Sequence, residues 1–182
     1  MDCFEQVVAD IYRQEGYWVQ TSFKIKLSDQ DRSDLNATND PRTEFDVLAY
    51  KPGERLVRVI ECKSFFKSTG VRFGGFTGTD QKAASGLRLF NDSRRRAVLL
   101  GSLKAQLLGN GMCCHDDEVR LCFASGHFVN SEERELTRNL FIKMGWDLYD
   151  ESWLKSKLER LSSKDFGYEN SISHVVANLL RS

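Results

Sequence analysis

Near the start of the chain, Phe4, Val7, Val8, Ile11 and Tyr12 fall at i, i+3, i+4, i+7 and i+8, the spacing of a helix with one apolar face, and Gly16 ends it. On a helical wheel Glu5 lies at the margin of that stripe and Asp10 lies nearly opposite, so Glu5 can look inward along the edge of the core. From Val19 the period changes to two. Val19, Thr21, Phe23, Ile25 and Leu27 read as a strand with alternate burial, followed by a polar loop over 28–43. Two β-like runs, 44–50 and 55–65, flank Lys51-Pro52-Gly53-Glu54, where Pro presets one turn dihedral and Gly tolerates the other, so they form a hairpin. Residues 64–81 are rich in Phe and Gly, fit neither period, and read as a functional or mobile loop. Helical spacing returns over 80–90 and again from Ser93, with Leu100, Leu103 and Leu107 on one face and Gly109-Asn110-Gly111 as the stop. Val119, Leu121 and Phe123 alternate as a fourth strand. Asn130 and Glu133 form a capping pair for a helix that carries Leu136, Leu140, Phe141 and Met144 and closes at Gly145. A short strand over 146–149 and two terminal helices complete the chain.

The order is α-β-β-β-α-β, then α-β-α-α. It predicts an α/β fold with a mixed four-stranded core sheet flanked by helices and an additional C-terminal strand and helices. With 182 residues, 41% of them apolar, and only two Pro, no linker forces a division. One domain over 1–182 is expected, with a core over about 1–125 and a C-terminal α/β extension over about 126–182. Apolar runs such as 97–100 fall far short of the roughly 18 residues that span a bilayer, and the first residues are acidic, so neither a membrane span nor a secretion signal is expected. Five Cys at irregular spacing argue for reduced thiols and a cytoplasmic setting.

Charge changes the picture only locally. Lys and Arg number 26 and so do Asp and Glu, so no global field draws the chain to a polyanion. Residues 81–109, however, hold six basic side chains against one acidic. Arg94, Arg95 and Arg96 are candidate nucleic-acid contacts, although three consecutive helical residues fan over about 200° and cannot all face one ligand. A solvated helix face is the competing reading.

The residues that bear chemistry are Asp46 and Glu61-Cys62-Lys63. Carboxylates and a lysine converging on one spot can hold a hard divalent cation through oxygen and set an ammonium beside attacking water, as metal-assisted phosphodiester hydrolysis requires. Strand alternation puts Val57, Val59, Glu61 and Lys63 on one face. A turn centred between Pro52 and Gly53 makes Asp46 face Val59 and Glu44 face Glu61, with Asp46 and Glu61 a diagonal pair about 7–8 Å apart at Cα. Glu44 then joins the acids, which repel one another unless a cation or Lys63 compensates. A solvated strand end with an incidental salt bridge is the plainer alternative.

On these residues the chain resembles the restriction-endonuclease-like superfamily, the PD-(D/E)xK nucleases. Glu5 stands in the first helix, Gly16-Tyr17-Trp18-Val19 leads into the first strand, Phe45-Asp46-Val47 lies in the second and Val59-Ile60-Glu61-Cys62-Lys63 in the third. Phe45 occupies the place of the motif's proline. The resemblance implies a Mg²⁺-dependent nuclease, with Mn²⁺ as a substitute, in which Asp46, Glu61 and the main-chain carbonyl of Cys62 hold the metal. Lys63 would orient or deprotonate water, Glu5 would help a second ion or its waters, and Gln81 could supply the polar residue that family members place on the next helix. Phosphodiester hydrolysis in nucleic acid, DNA first, is the function expected.

The loop over 65–76 fits such a partner, since aromatics stack on bases while Lys67 and Arg72 meet phosphates. Burial of its Phe residues in the core is the alternative. A zinc site from Cys113, Cys114, His115, Cys122 and His127 is poorly supported, because adjacent cysteines do not easily turn two sulfurs onto one ion. The rival functions are a catalytically silent nucleic-acid-binding or protein-interaction module on the same fold, and a subunit that cuts only inside a larger complex. Cutting both strands of a duplex would require two copies, hence a homodimer or a larger assembly.

Overall fold

The computed structural model describes residues 2–35, 43–66 and 68–162. Its first helix, α1 (Cys3–Gln14), begins with a capping box: the Asp2 carboxylate accepts from the backbone N–H of Phe4 and Glu5, and the Glu5 carboxylate accepts from that of Asp2. The strands are β1 (Trp18–Lys24), β2 (Glu44–Lys51), β3 (Leu56–Lys63), β4 (Glu118–Ser125) and β5 (Asp147–Tyr149). They form one five-stranded mixed sheet in the order β1-β2-β3-β4-β5, antiparallel through β3 and parallel from β3 to β5. The fold class is α/β, as the alternation of periods predicts. The strand after α7 (Ser131–Met144) extends this same sheet, and Phe141 of α7 enters the same core as β4, so residues beyond 125 continue the layers already built.

Two apolar cores lie on opposite sides of the sheet. On one, α1 buries Phe4, Val8, Ala9, Ile11 and Tyr12 against Val47, Ala49, Ile60, Cys62, Cys122 and Ala124, joined by Leu154 and Leu158 of α8 (Glu151–Ser162). On the other, Leu99, Leu103 and Leu107 of α6 (Ser93–Gly109) meet Leu48, Val57, Val59, Leu121 and Phe123. The apolar face of α6 thus centres on Leu99 rather than Leu100, which is only partly buried.

The polar run after β1 contains a short helix, α2 (Asp29–Asp34), which the polarity of the stretch hides; Ser28 and Asp31 form its capping box. Residues 64–81, expected to form a functional or mobile loop, send Val71 and Phe76 into the core. They hold α3 (Phe73–Thr77), followed by α4 (Gln81–Ala84), a 3₁₀ turn (Ser85–Leu87) and α5 (Arg88–Asn91). Val71, Phe76, Leu87, Leu89 and Phe90 from this connection are core residues. Its glycines serve packing as well: a Cβ at Gly75 would lie 2.8 Å from a Leu87 methyl and 3.1 Å from the Ala83 Cβ. The N–H of Phe73 donates to the Glu133 carboxylate, which ties the connection to α7 and diverts Glu133 from its expected capping partner. Asn130 still caps α7 by accepting from the Glu133 N–H. The second expected terminal helix lies outside the described residues, as does Lys67. Among the described residues no helix is long and apolar enough to cross a membrane.

Candidate active site

The hairpin between β2 and β3 places the acids, and its register differs from the one expected. Pro52–Glu54 form a 3₁₀ turn and Arg55 adopts the left-handed conformation (φ 50°), so four residues make the connection and Lys51 pairs with Leu56. The Glu54 carboxylate anchors this turn by accepting from the Tyr17 hydroxyl and from Arg58. Bonded pairing runs as far as Val47 opposite Ile60. Carried onward, that register sets Asp46 opposite Glu61 and Glu44 opposite Lys63, two residues away from the expected Asp46–Val59 and Glu44–Glu61 pairs. Because the shift is even, the change of register by itself moves no side chain to the other face.

At Asp46 the alternation of β2 itself breaks. Phe45 belongs to the α6-side core and Val47 to the α1-side core although they are two residues apart. The neighbouring strand breaks at the same level: Val19 packs toward α1, Phe23 toward α6, and Ser22 between them has φ 53°. The ladder resumes on both sides, with Thr21 opposite Val47 and Phe23 opposite Phe45. This shared distortion lies where Asp46 reaches across to β3, its Oδ2 accepting from the Cys62 N–H at 2.7 Å.

Lys63 Nζ donates to Glu61 Oε1 at 2.5 Å, and both side chains are largely buried. Burial pushes the Glu61 carboxyl up, and the Asp46 and Glu5 charges push it further, while Lys63 works against them. Asp46 is likewise raised by burial, with the Cys62 N–H and Lys63 opposing and Asp2 and Glu44 adding repulsion. Glu5 is raised by burial and then by Asp46. For Lys63 burial disfavours the ammonium, but Glu61 and Asp46 outweigh it and hold the proton more tightly than usual. Glu5, Asp46, Glu61 and Lys63 therefore form one electrostatic unit at the end of β3, and Asp2, whose signature is only the Asp-x-x-Glu cap, adds to it.

Glu61 also lines a cleft of about 200 Å³ shared with Glu44, Arg88, Arg95 and Phe90. Arg88 and Arg95 have no ion-pair partner among the described residues, so their guanidinium groups are available to an anion. The arginine run is divided by its helical fan. Arg94 pairs with Asp34, Arg95 lines the cleft, and Arg96 donates to the carbonyls of Leu89 and Phe90 while lying over the Trp146 ring. Arg72 is exposed just before α3, and Gln81 is exposed at the start of α4, outside the lining of the cleft. Arg88 escaped sequence reasoning because a lone arginine in a broken helical stretch carries no periodic signal.

Among the described residues no three His, Cys, Asp or Glu side chains converge as a metal-binding group. The donors gathered here are two carboxylates, each with one oxygen engaged within the protein, beside the main chain of Cys62. Hard oxygen donors of like charge, held together at a cost, fit a hard divalent cation completed by water. The cysteine cluster does not assemble: Cys122 is buried beside the Tyr149 hydroxyl at 3.5 Å, Cys113 is buried and Cys114 is exposed. Comparison with protein-family models, with curated proteins and with solved structures gives no match to this chain.

The raised carboxyls make a thermodynamic prediction. An acid whose folded pKa lies above its ordinary value destabilises the fold when ionised, fully above the folded pKa and not at all below the ordinary one. Asp46→Asn keeps an oxygen to accept from the Cys62 N–H and removes the charge. It is expected to raise Tm by about 2–4 °C at neutral pH, corresponding to about 1 kcal/mol of relieved desolvation and repulsion. The gain should shrink as pH falls through the raised pKa and vanish near the ordinary 3.8. Thermal melts of both proteins from pH 8 to about pH 4 check it; a Tm lowered at neutral pH would mean that Asp46 is there for stability.

Proposed function

We infer that the chain is a divalent-metal-dependent phosphodiesterase acting on nucleic acid, with a restriction-endonuclease-like fold. The observation that carries this reading is the placing of two carboxylates at one end of β3, Asp46 held by the Cys62 N–H and Glu61 by Lys63, where burial raises both and their mutual repulsion adds to it. A purely structural strand end has no use for such an arrangement. Asp46, Glu61 and the carbonyl of Cys62 would hold Mg²⁺ or Mn²⁺, with Glu5 and Glu44 near enough to act on its waters. Such a cation, when bound, supplies Lewis acidity to the phosphate and an acidified water.

The chain's own residues supply the rest. Lys63, kept cationic by its neighbours, is placed to orient the attacking water and to offset charge that builds on the phosphate. Arg88 and Arg95 offer cations in the cleft beside Glu61, where the flanking backbone of a nucleic acid would lie. The parts come from β2, β3 and the first helix, so the site is built on rigid elements.

The test is hydrolysis of plasmid, linear duplex, single-stranded DNA and RNA with Mg²⁺, Mn²⁺ or EDTA, beside the Asp46→Asn protein. Cutting that needs metal and is lost in the variant is the expected result. A folded wild type that cuts none of these substrates would count against the hydrolytic reading and leave a binding module or a dormant subunit.

A further inference from the structure

Phe66 stands just past the candidate site, three residues beyond Lys63, with 68% of its surface exposed. Its near neighbour Phe76 is almost fully buried, so the two rings have opposite fates within one connection. Single exposed apolar residues are common and by themselves mean little. This ring, however, is held outward by three independent constraints. The preceding residue, Phe65, has φ 52°, a left-handed conformation that bulky side chains seldom adopt, and it turns the chain sharply away from β3. Phe4 makes an edge-to-face contact with the ring, centroids 5.8 Å apart and planes at 85°. Gly126 lies directly against it: a Cβ there would fall 2.6 Å from two ring carbons and 2.5 Å from the carbonyl oxygen of Ser64. The backbone of β3 is fastened to the same point, since the Gly126 N–H donates to the Lys63 carbonyl.

The position of the ring gives the feature its meaning. Phe4 is followed by Glu5, which faces Asp46, so Phe66 is packed on the helix turn that delivers a carboxylate to the site. The cleft with Arg88 and Arg95 opens on Glu61. An aromatic face therefore adjoins the acids that would cleave a phosphodiester, and two cations that make no ion pair among the described residues line the cleft beside Glu61. A solvent-facing ring backed by Phe4 and Gly126 offers a stacking surface that needs little further ordering. Every base has a π-face, so stacking selects for unpaired bases without selecting sequence.

We propose that Phe66 is the platform on which an unpaired nucleobase of the substrate stacks, so that the chain prefers single-stranded or frayed nucleic acid to closed duplex. The inference deepens the hydrolytic reading and rests on it for the choice of a nucleobase over an apolar protein side chain.

Binding of fluorescent dT and dA oligomers and of a blunt, closed hairpin duplex, measured by anisotropy in EDTA and again in Ca²⁺, tests it without turnover. The wild type should bind single strands more tightly than the hairpin. Phe66→Ala and Phe66→Leu should each weaken single-strand binding about ten-fold or more, and hairpin binding less than two-fold. Phe66→Trp should restore the single-strand affinity. The dependence of single-strand binding on salt should keep its slope in all three, because stacking displaces no counterions, and Tm should hardly move for so exposed a ring. Equal losses on both substrates, full affinity in Phe66→Leu, or a wild type with no affinity for single strands would each overturn the proposal. Metal-dependent cutting is scored separately. A chain that cuts but binds independently of Phe66 refutes this inference alone, and Phe66-dependent binding in a chain that cuts nothing refutes the hydrolytic reading alone.

Discussion

Hydrolysis by the Lys63→Met protein is expected to fall by about 10²–10³-fold while its apparent affinity for Mn²⁺ stays level or tightens. The two effects separate because Lys63 has two relationships at the site. To Glu61 and Asp46 it is a counter-ion, opposing the repulsion that raises both carboxyls. To a substrate it would be an ammonium at the end of β3, beside attacking water and the charge that builds on phosphate. Deleting it leaves Asp46 and Glu61 facing each other with less compensation, a situation that a divalent cation relieves. The same deletion lets both carboxyls climb further, so the acid limb of metal binding should move to higher pH. Lys63→Arg should recover part of the rate, since it keeps the charge but not the compact, mobile head group. Initial rates against metal concentration at several pH values give the answer. If the rate returns in full at high metal, Lys63 is only a counter-ion, and the role of water-orienting residue must pass to another group.

How far the sequence reveals this site can be followed residue by residue. The strand period exposes Glu61 and Lys63 as neighbours on one face, and the helical wheel puts Glu5 at the edge of the core; both depend on local alternation, which a single sequence carries. The register of β2 on β3 depends on the conformation of Arg55, and a left-handed arginine at the end of a 3₁₀ turn has no compositional mark of the kind that Asn-Gly provides. The connection therefore has the expected four residues but lies one position further along, over 52–55, and parity survives because that displacement moves every pairing by two. Ser22 and Asp46 show a different limit. Their shared break in alternation spans two strands and is invisible to a period count along either one. Phenylalanine and glycine in the stretch 64–81 suggest a functional or mobile loop because no regular element longer than five residues forms there, so neither period can emerge. What orders that stretch is tertiary: rings entering a distant core and glycines that let α3 lie close to Ala83 and Leu87. The arginine run gives the reverse lesson, since the fan over about 200° foretells that Arg94, Arg95 and Arg96 separate, and they do.

Phe76→Ala is expected to cost about 3–5 kcal/mol, the largest effect on stability of any single substitution in the connection. Phe76 is 2% exposed and makes edge-to-face contacts with Phe90, Phe123 and Phe141, at centroid distances of 5.4, 5.1 and 5.2 Å. Those rings come from α5, β4 and α7, so one side chain joins the connection to the sheet and to the crossover helix. Truncation leaves a cavity that the rigid sheet cannot close, and each ring loses a partner worth about 0.5–1.5 kcal/mol beyond its area. Against a total of about 5–15 kcal/mol this is a large share, and Tm should drop by about 10 °C. Phe90, left loose on one side, also lines the cleft with Arg88 and Arg95, whereas Asp46, Glu61 and Lys63 sit on β2 and β3. Below its lowered Tm the variant should therefore show a raised KM for nucleic acid with kcat less affected. Urea unfolding of Phe76→Ala, Phe76→Leu and Phe66→Ala measures the stability side: Leu should recover part of the loss, and Phe66→Ala should lie within about 0.5 kcal/mol of the wild type. Equal costs at positions 66 and 76 would mean that the connection is held by its backbone rather than by the aromatic core.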